Sequence, residues 1–225
     1  MDKFSYALVK CAATVFGARA PVWEIGAYRV EGQEEYGDLR EIFPGYEYVG
    51  CDMREGPRVD RVEDVTALSA ADGAVPTLLC LNTLEHVYDI RKGFAEIARA
   101  VADDGMAVIS LPFYFKVHDY PGDFWRMTPE ALERATAGFP WRIIGSRGWE
   151  TTPTAVFCIG FKREPADFAH QYDRFMTCLA AEGRETRSIA KRIKARIGYH
   201  LLSKRAFRGA MFKEQVRAKT VTSER

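Results

Sequence analysis

Short apolar runs alternate with polar or glycine-bearing turns along most of the chain. Residues 22–25 stop at Gly26, 46–51 at Asp52, 75–81 at Asn82 and 106–111 at Pro112. Runs of this length with polar C-terminal ends read as parallel strands buried on both faces. Between them, Ile90, Phe94, Ile97 and Val101 recur on one helical face, and Tyr36, Leu39 and Phe43 mark a shorter helix closed by Pro44-Gly45. A brief strand at 59–62 leads to Asp64, and Asp103-Asp104-Gly105 turns the chain into the run at 106. The expected architecture is α/β, a doubly wound and mostly parallel sheet, whose ligand binds outside the C-terminal strand ends.

Ahead of the first strand, Phe4, Leu8, Cys11 and Val15 fall at helical spacing, and Lys10 interrupts what could pass for the apolar core of a signal peptide. A packed N-terminal helix over residues 1–20 is the expectation. Beyond Pro112 the periodicity gives way to an aromatic segment, 113–126, that fits neither a helix nor a strand. Thr128-Pro129-Glu130 then supplies a helix N-cap with proline at the first helical position. Two late runs, 141–145 and 154–161, are close enough in sequence to pair antiparallel.

Length adds one constraint, since 225 residues suit one α/β domain with an appendage. Charge adds another. The net charge of +1 divides unevenly, because residues 183–225 hold 13 Lys/Arg against three Glu, leaving the remainder acidic. Within that tail Ile189, Ile193, Ile197 and Leu201 recur every four residues among Lys191, Arg192, Lys194, Arg196 and Lys204. This predicts a basic helical C-terminal extension over 163–225. Its ordinary place is against its own domain, with an anionic partner or a membrane surface as the sharper alternative and nucleic acid disfavoured. The five cysteines contain no CxxC pair and mostly sit in apolar runs, which predicts reduced core thiols and a cytoplasmic protein. No apolar stretch reaches the roughly 18 residues of a membrane span.

The chemistry concentrates at the strand ends and in the aromatic segment. Residues 118–126 crowd His118, Asp119, Asp123, Arg126 and several aromatics around a Pro-Gly turn. A neutral imidazole accepts a proton near neutrality, so His118 is the candidate general base, with Asp119 or Asp123 to orient it and Arg126 to hold an anion or one of those aspartates. A metal held by His118, Asp119 and Asp123 is disfavoured, because no further His or Cys stands nearby in sequence. Asn82 or Thr83 could serve as an ordinary helix cap, and His86 reads as structural.

With these residues in place, residues 21–162 resemble a class I S-adenosylmethionine-dependent methyltransferase. They are most similar to small bacterial members that share the Leu84-Glu85-His86 turn and the His118-Asp119-Tyr120-Pro121, Asp123, Trp125-Arg126 loop, often associated with surface-glycan pathways. The resemblance implies a seven-stranded sheet whose last strand inserts antiparallel, and S-adenosyl-L-methionine as cofactor. It assigns Glu24 and Gly26 to the loop beside the cofactor's amino-acid portion, Asp52 to the ribose hydroxyls with Met53 beside the adenine, Asp64 and Val65 to the adenine amino group, and Asn82 to the loop beneath the sulfonium. Tyr28 departs from the pattern, standing where members commonly have a further glycine.

The implied activity is methyl transfer, chiefly to an oxygen, of a small-molecule or glycan-like acceptor. A non-catalytic binder of the same cofactor is the alternative that Tyr28 suggests. A nicotinamide-dependent oxidoreductase is weaker still, because Gly26 begins no GxGxxG.

Overall fold

A computed structural model describes residues 3–29, 38–118, 122–183 and 215–222. Helix α1 (Lys3–Phe16) precedes strands β1 (Val22–Ile25), β2 (Tyr48–Asp52), β3 (Arg61–Val62) and β4 (Val75–Leu81). Helix α2 (Ile90–Ala100), strand β5 (Val101–Pro112) and helix α3 (Pro129–Ala135) follow. The chain then forms β6 (Trp141–Gly148), β7 (Pro153–Phe161), α4 (Phe168–Glu182) and β8 (Gln215–Thr222). Short 3-10 turns at Leu39–Ile42 and Leu84–His86 complete the described elements.

The strands make one sheet in the order β3-β2-β1-β4-β5-β7-β6-β8. Pairing from β3 through β5 is parallel, whereas β7 inserts antiparallel between β5 and β6. That is the expected arrangement, with an eighth strand added at one edge. β8 pairs antiparallel with β6, from Trp141 opposite Thr222 to Gly148 opposite Gln215.

Alternation along the central strands explains the two apolar cores. Ala107, Ile109 and Leu111 of β5 point to one face, where Ile90, Phe94 and Ile97 of α2 and Leu132 of α3 cover them. Met106 and Val108 point to the other, where Phe4, Leu8 and Val15 of α1 meet Phe168, Phe175 and Leu179 of α4. Strand residues of period two thus feed both layers, so the runs are apolar throughout rather than alternating with polar positions. Thr128 caps α3 as expected, its hydroxyl accepting from the Ala131 amide at 3.1 Å.

Four expectations change. The Asp103-Asp104-Gly105 turn does not separate α2 from β5 but lies within β5, whose register against β4 shifts between Val75 and Thr77. The last described part of the presumed extension is a strand, not a helix. Val216 and Ala218 pack toward the α1 side and Val221 toward the α2 side, while Arg217 and Lys219 reach Glu150 at 3.7 Å and Glu133 at 2.5 Å. The period-two alternation of Val216 to Lys219, together with β-branched Thr220 to Thr222, suits a sheet edge better than a helix. Ile189, Ile193, Ile197 and Leu201 lie outside the described residues.

Residues 163–183, likewise placed in the extension, supply α4 to the core, and Tyr172 donates its hydroxyl to the Ala218 carbonyl at 2.6 Å. The fourth change concerns the thiols. Cys11 and Cys178 form a disulfide between α1 and α4, with Cα atoms 5.8 Å apart and a sequence separation of 167. Both helices pack on the same sheet face, which brings together two positions that sequence spacing cannot relate. Cys11 and Cys178 are therefore not the reduced core thiols expected of all five cysteines. Cys51, Cys80 and Cys158 are free and buried, and burial pushes the Cys51 and Cys158 thiols up to about 12. No helix among the described residues is long and apolar enough to cross a membrane.

Cross-linking so long a loop removes unfolded-chain entropy, worth about 2–4 kcal/mol in typical cases. Cys178→Ser is expected to lower stability by that order, read as a drop in the denaturant midpoint. Adding dithiothreitol to the parent should bring it down to the variant's midpoint and leave the variant unmoved. A parent midpoint insensitive to reductant contradicts the bond.

Candidate active site

The parallel strands all deliver their C-terminal ends to one edge. There Ile25 lies opposite Cys51 on one side and Cys80 on the other. The loops that leave this edge enclose a cleft of about 1180 Å³. At the end of β1 the backbone turns with Gly26 at φ +84°, and the Gly26 and Ala27 amides donate to the Cys51 carbonyl at 2.8 and 2.9 Å. A side chain at Gly26 is doubly disfavoured, because φ is left-handed and a Cβ there runs into the Thr83 hydroxyl. Thr83 stands at the N-cap of the following turn, but its side chain makes no capping hydrogen bond there. Its hydroxyl sits 3.1 Å from both the Ile25 and Leu81 carbonyls and stitches the ends of β1 and β4 together.

Glu24, Gly26, Asp52, Met53, Asp64, Val65 and Asn82 all line this cleft. Glu24 is held from behind by the Tyr48 hydroxyl, which donates to it at 2.7 Å, and burial raises its carboxyl pKa. Asp52 closes β2 and accepts the Arg54 amide at 3.2 Å and the Tyr28 amide at 3.4 Å, with the Arg54 guanidinium 3.6 Å away. Its carboxylate is thereby aimed by its own loop and by the loop after β1. Met53 is exposed and Val65 buried, while Asp64 accepts from the Thr66 amide at 2.8 Å. Asn82 adopts φ +50° and donates to the Ser5 hydroxyl at 3.5 Å. Tyr28 also lines the cleft, its ring beneath the Arg54 guanidinium at 4.4 Å.

The aromatic segment folds back over the same edge because three bonds pin it to the turn after β4. Phe124 donates its amide to the Glu85 carbonyl at 2.8 Å, and the Trp125 indole donates to the Val87 carbonyl at 2.9 Å. The third is a close contact between His86 Nδ1 and the Gly122 carbonyl. Inside the segment Asp123 accepts both the His118 amide at 2.9 Å and its Nδ1 at 3.1 Å. Arg126 grips the same carboxylate in a fork, 2.5 Å to one oxygen and 2.7 Å to the other. Those guanidinium bonds hold the Asp123 carboxyl well below the usual range, so it is ionised and accepts only. In the neutral imidazole, His118 Nδ1 therefore carries the proton and Nε2 presents a lone pair.

Of the residues expected to carry chemistry, His118 lines the cleft, whereas Asp123 and Arg126 stand behind it among the described residues. Arg126 also donates to the Lys116 and Trp125 carbonyls, which makes it the brace of the loop. Asp119 lies outside the described residues. Tyr88, Tyr114, Phe115, Phe124 and Trp125 are exposed around the cleft or on the loop beside it.

Sequence reasoning passed over Glu85 and read His86 as structural, a role that its contact with the Gly122 carbonyl fits. Both line the cleft, and with His118 they bring one potential ligand atom each to within 4.8 Å of one another. The remark that no further His stands near His118 holds along the chain but not in the fold. Arg147 and Thr154, from the β6–β7 hairpin, also line the cleft, and no sequence signal marks them.

Burial pushes Glu85 from 4.5 up to about 8. Between those values the folded chain keeps a proton that the unfolded chain has released, so stability falls as pH rises through this window and levels off above it. Glu85→Gln removes its part of that slope, while Glu24, raised in the same direction, contributes to parent and variant alike. Denaturant midpoints of chelator-treated protein between about pH 5 and about pH 8 measure it. Equal slopes in parent and variant contradict the assignment.

Comparison with known proteins finds similarity over part of the chain. A family model described as a methyltransferase domain matches residues 38–109. No curated protein matches the chain in sequence. Among solved structures, the YcgJ protein from Bacillus subtilis is similar at 15% identity over 69% of this chain and 98% of that one, with a TM-score of 0.50. A Thermotoga maritima protein described as an S-adenosylmethionine-dependent methyltransferase, possible histamine N-methyltransferase, is similar at 14% identity over 71% and 90%, with a TM-score of 0.51. The Burkholderia thailandensis 1,6-didemethyltoxoflavin-N1-methyltransferase, solved with 1,6-didemethyltoxoflavin and S-adenosylhomocysteine, is similar at 18% identity over 72% and 79%, with a TM-score of 0.51. At these identities the structures speak for the fold. The methyltransferase-domain match lies on residues 38–109, which include β2 to β4, α2 and most of β5, and the fold around it is similar to that of these solved structures.

Proposed function

We propose that the cleft binds S-adenosylmethionine at the β1, β2 and β4 ends and that His118 serves as general base for methyl transfer to an oxygen of a small-molecule or glycan-like acceptor. The observation that carries this reading is the chain of contacts from Arg126 through Asp123 to His118, ending in an imidazole that lines the same cleft as Gly26 and Asp52.

The residues present fit the cofactor's chemistry. Asp52 has its carboxylate aimed by two backbone amides and retains lone pairs for a ribose diol. Gly26 keeps the β1 turn free of a side chain, which permits close approach of an amino-acid moiety. At about 1180 Å³ the cleft exceeds the usual range for one small-molecule site, leaving room for an acceptor beside the cofactor. When bound, S-adenosylmethionine supplies a methyl group already activated as a sulfonium.

The chain's own work is alignment and proton removal. Asp123, kept ionised by Arg126, fixes the His118 tautomer and steadies the imidazolium that forms when Nε2 takes the acceptor's hydroxyl proton. Removing that proton would ready the acceptor oxygen for a methyl donor held at the strand ends, and the gain would come mainly from holding the two reactants together. Tyr114 and Phe115 offer aromatic faces at the cleft, suited to the apolar face of a sugar ring and to a cationic donor. The similar Burkholderia thailandensis protein is an N1-methyltransferase, which supports a nitrogen acceptor as the second reading.

Two variants test separate parts of this account. Losing a charge-assisted hydrogen bond costs about 1.5–3 kcal/mol, so Asp52→Ala should weaken S-adenosylhomocysteine binding about tenfold or more in a calorimetric titration. An unchanged affinity removes Asp52 from the site. His118→Ala should leave that affinity essentially intact while lowering turnover on sugar or phenolic hydroxyl acceptors by about 10²–10⁴-fold, the usual contribution of a general base. Comparable turnover in variant and parent rejects the catalytic role. Cofactor binding with no turnover in the parent favours the non-catalytic alternative.

A further inference from the structure

We propose that Glu85, His86 and His118 form a binding site for one divalent transition-metal ion, with an open coordination position facing the cleft. The proposal rests on the geometry of these three side chains and does not depend on the methyl-transfer reading.

Proximity comes first. Each residue brings a ligand atom to within 4.8 Å of the others, His86 Nε2 lies 3.9 Å from Glu85 Oε1, and the two imidazole rings meet edge to face with centroids 4.9 Å apart. Metal bonds of about 2.0–2.2 Å set ligand atoms roughly 3–4 Å apart, so the three need draw in only slightly around an ion. The fold makes this meeting possible. Glu85 and His86 sit on the short turn after β4, and the Phe124 and Trp125 bonds to that turn bring the loop carrying His118 back against it.

The surroundings of the three residues point the same way. His86 Nδ1 is engaged by the Gly122 carbonyl and His118 Nδ1 by the Asp123 carboxylate. A histidine that ligates a metal characteristically donates its other ring N–H to a carbonyl or carboxylate, which fixes the tautomer and leaves a lone pair for the ion. Here both supports are in place. Glu85 supplies an independent observation. Its side chain is 1% exposed, and Oε2 is buried with no hydrogen-bond partner among the described residues. A buried carboxyl oxygen without a partner is costly, and a cation is the partner that would satisfy it.

Donor chemistry narrows the ion. Two imidazoles and one carboxylate suit zinc, cobalt, nickel or ferrous iron better than calcium or magnesium, which prefer all-oxygen shells. Three protein ligands with the next position open are typical of reactive rather than structural sites. All three residues line the cleft, so an oxygen donor of a bound molecule would complete the shell. An ion on His118 Nε2 occupies the lone pair that proton transfer requires. The loaded chain therefore presents a Lewis-acidic position where the metal-free chain presents a base.

The experiment uses the untagged full chain after chelator treatment, titrated with Zn²⁺ by calorimetry and with Co²⁺ by its visible d–d absorption. S-adenosylhomocysteine affinity and circular dichroism are measured on the same samples. The expected result is one ion per chain, with binding weakened about a hundredfold in Glu85→Gln, His86→Ala and His118→Ala. Asp123→Asn, which removes no ligand but weakens the support of His118 and the Arg126 fork on the same carboxylate, should weaken it about tenfold. A parent that takes up no stoichiometric ion overturns the proposal, as do folded variants that bind as tightly as the parent. Ion binding that survives without S-adenosylhomocysteine binding counts against the cofactor reading alone, and the converse counts against the metal site alone.

Discussion

The four residues of β1 set where everything else in the cleft can stand. Val22 to Ile25 pair in register with β2 on one side and β4 on the other, so Ile25, Cys51 and Cys80 reach the sheet edge together. Parallel strands cannot be joined by tight hairpins. Each must release its chain at this edge and recover it through a crossover, and the loops after Gly26, Asp52, Val62, Leu81 and Pro112 therefore gather at one place. Thr83 tightens the arrangement by touching the terminal carbonyls of β1 and β4 at once. A side chain at Gly26 would drive these two ends apart, which is why that glycine belongs to the architecture as well as to the site.

On this rigid edge the reactive groups are held by electrostatics instead of packing. Asp123 is the hub, accepting from a guanidinium fork, a backbone amide and an imidazole at once. Arg126 keeps it ionised, and an ionised carboxylate in turn dictates which nitrogen of His118 carries the proton. Glu85 sits nearby under the opposite condition, buried and with one oxygen lacking a partner among the described residues, so its carboxyl is pushed toward the neutral form. Two carboxyl groups in one neighbourhood thus hold opposite charge states because one is clamped by an arginine and the other is desolvated.

Much of this was readable from residue order. The apolar runs at β1, β2, β4 and β5 and the α2 face of Ile90, Phe94 and Ile97 announce themselves by period and length, as does the β6–β7 antiparallel pair by proximity. Thr128 announces α3 through its cap. The features that escaped have in common that long-range packing creates them. Cys11 and Cys178 are 167 residues apart and meet only because α1 and α4 share a sheet face. Val216 to Thr222 has strand character, yet its setting in a basic tail suggested a helix until β6 offered an open edge. Glu85 and His86 were visible as a turn motif, but their approach to His118 depends on the aromatic loop folding back through Phe124 and Trp125. Local signals reveal where a chain turns, while the burial that gives a carboxyl or an imidazole its chemistry is fixed by distant segments.

The central claim is that the gathered strand ends form one cofactor site for S-adenosylmethionine. Calorimetric titration of the full chain with S-adenosylhomocysteine, with a nicotinamide dinucleotide run in parallel, tests it most directly. The account predicts saturable binding of one S-adenosylhomocysteine per chain and none of the dinucleotide. Absence of S-adenosylhomocysteine binding by folded protein, or preference for the dinucleotide, would contradict it.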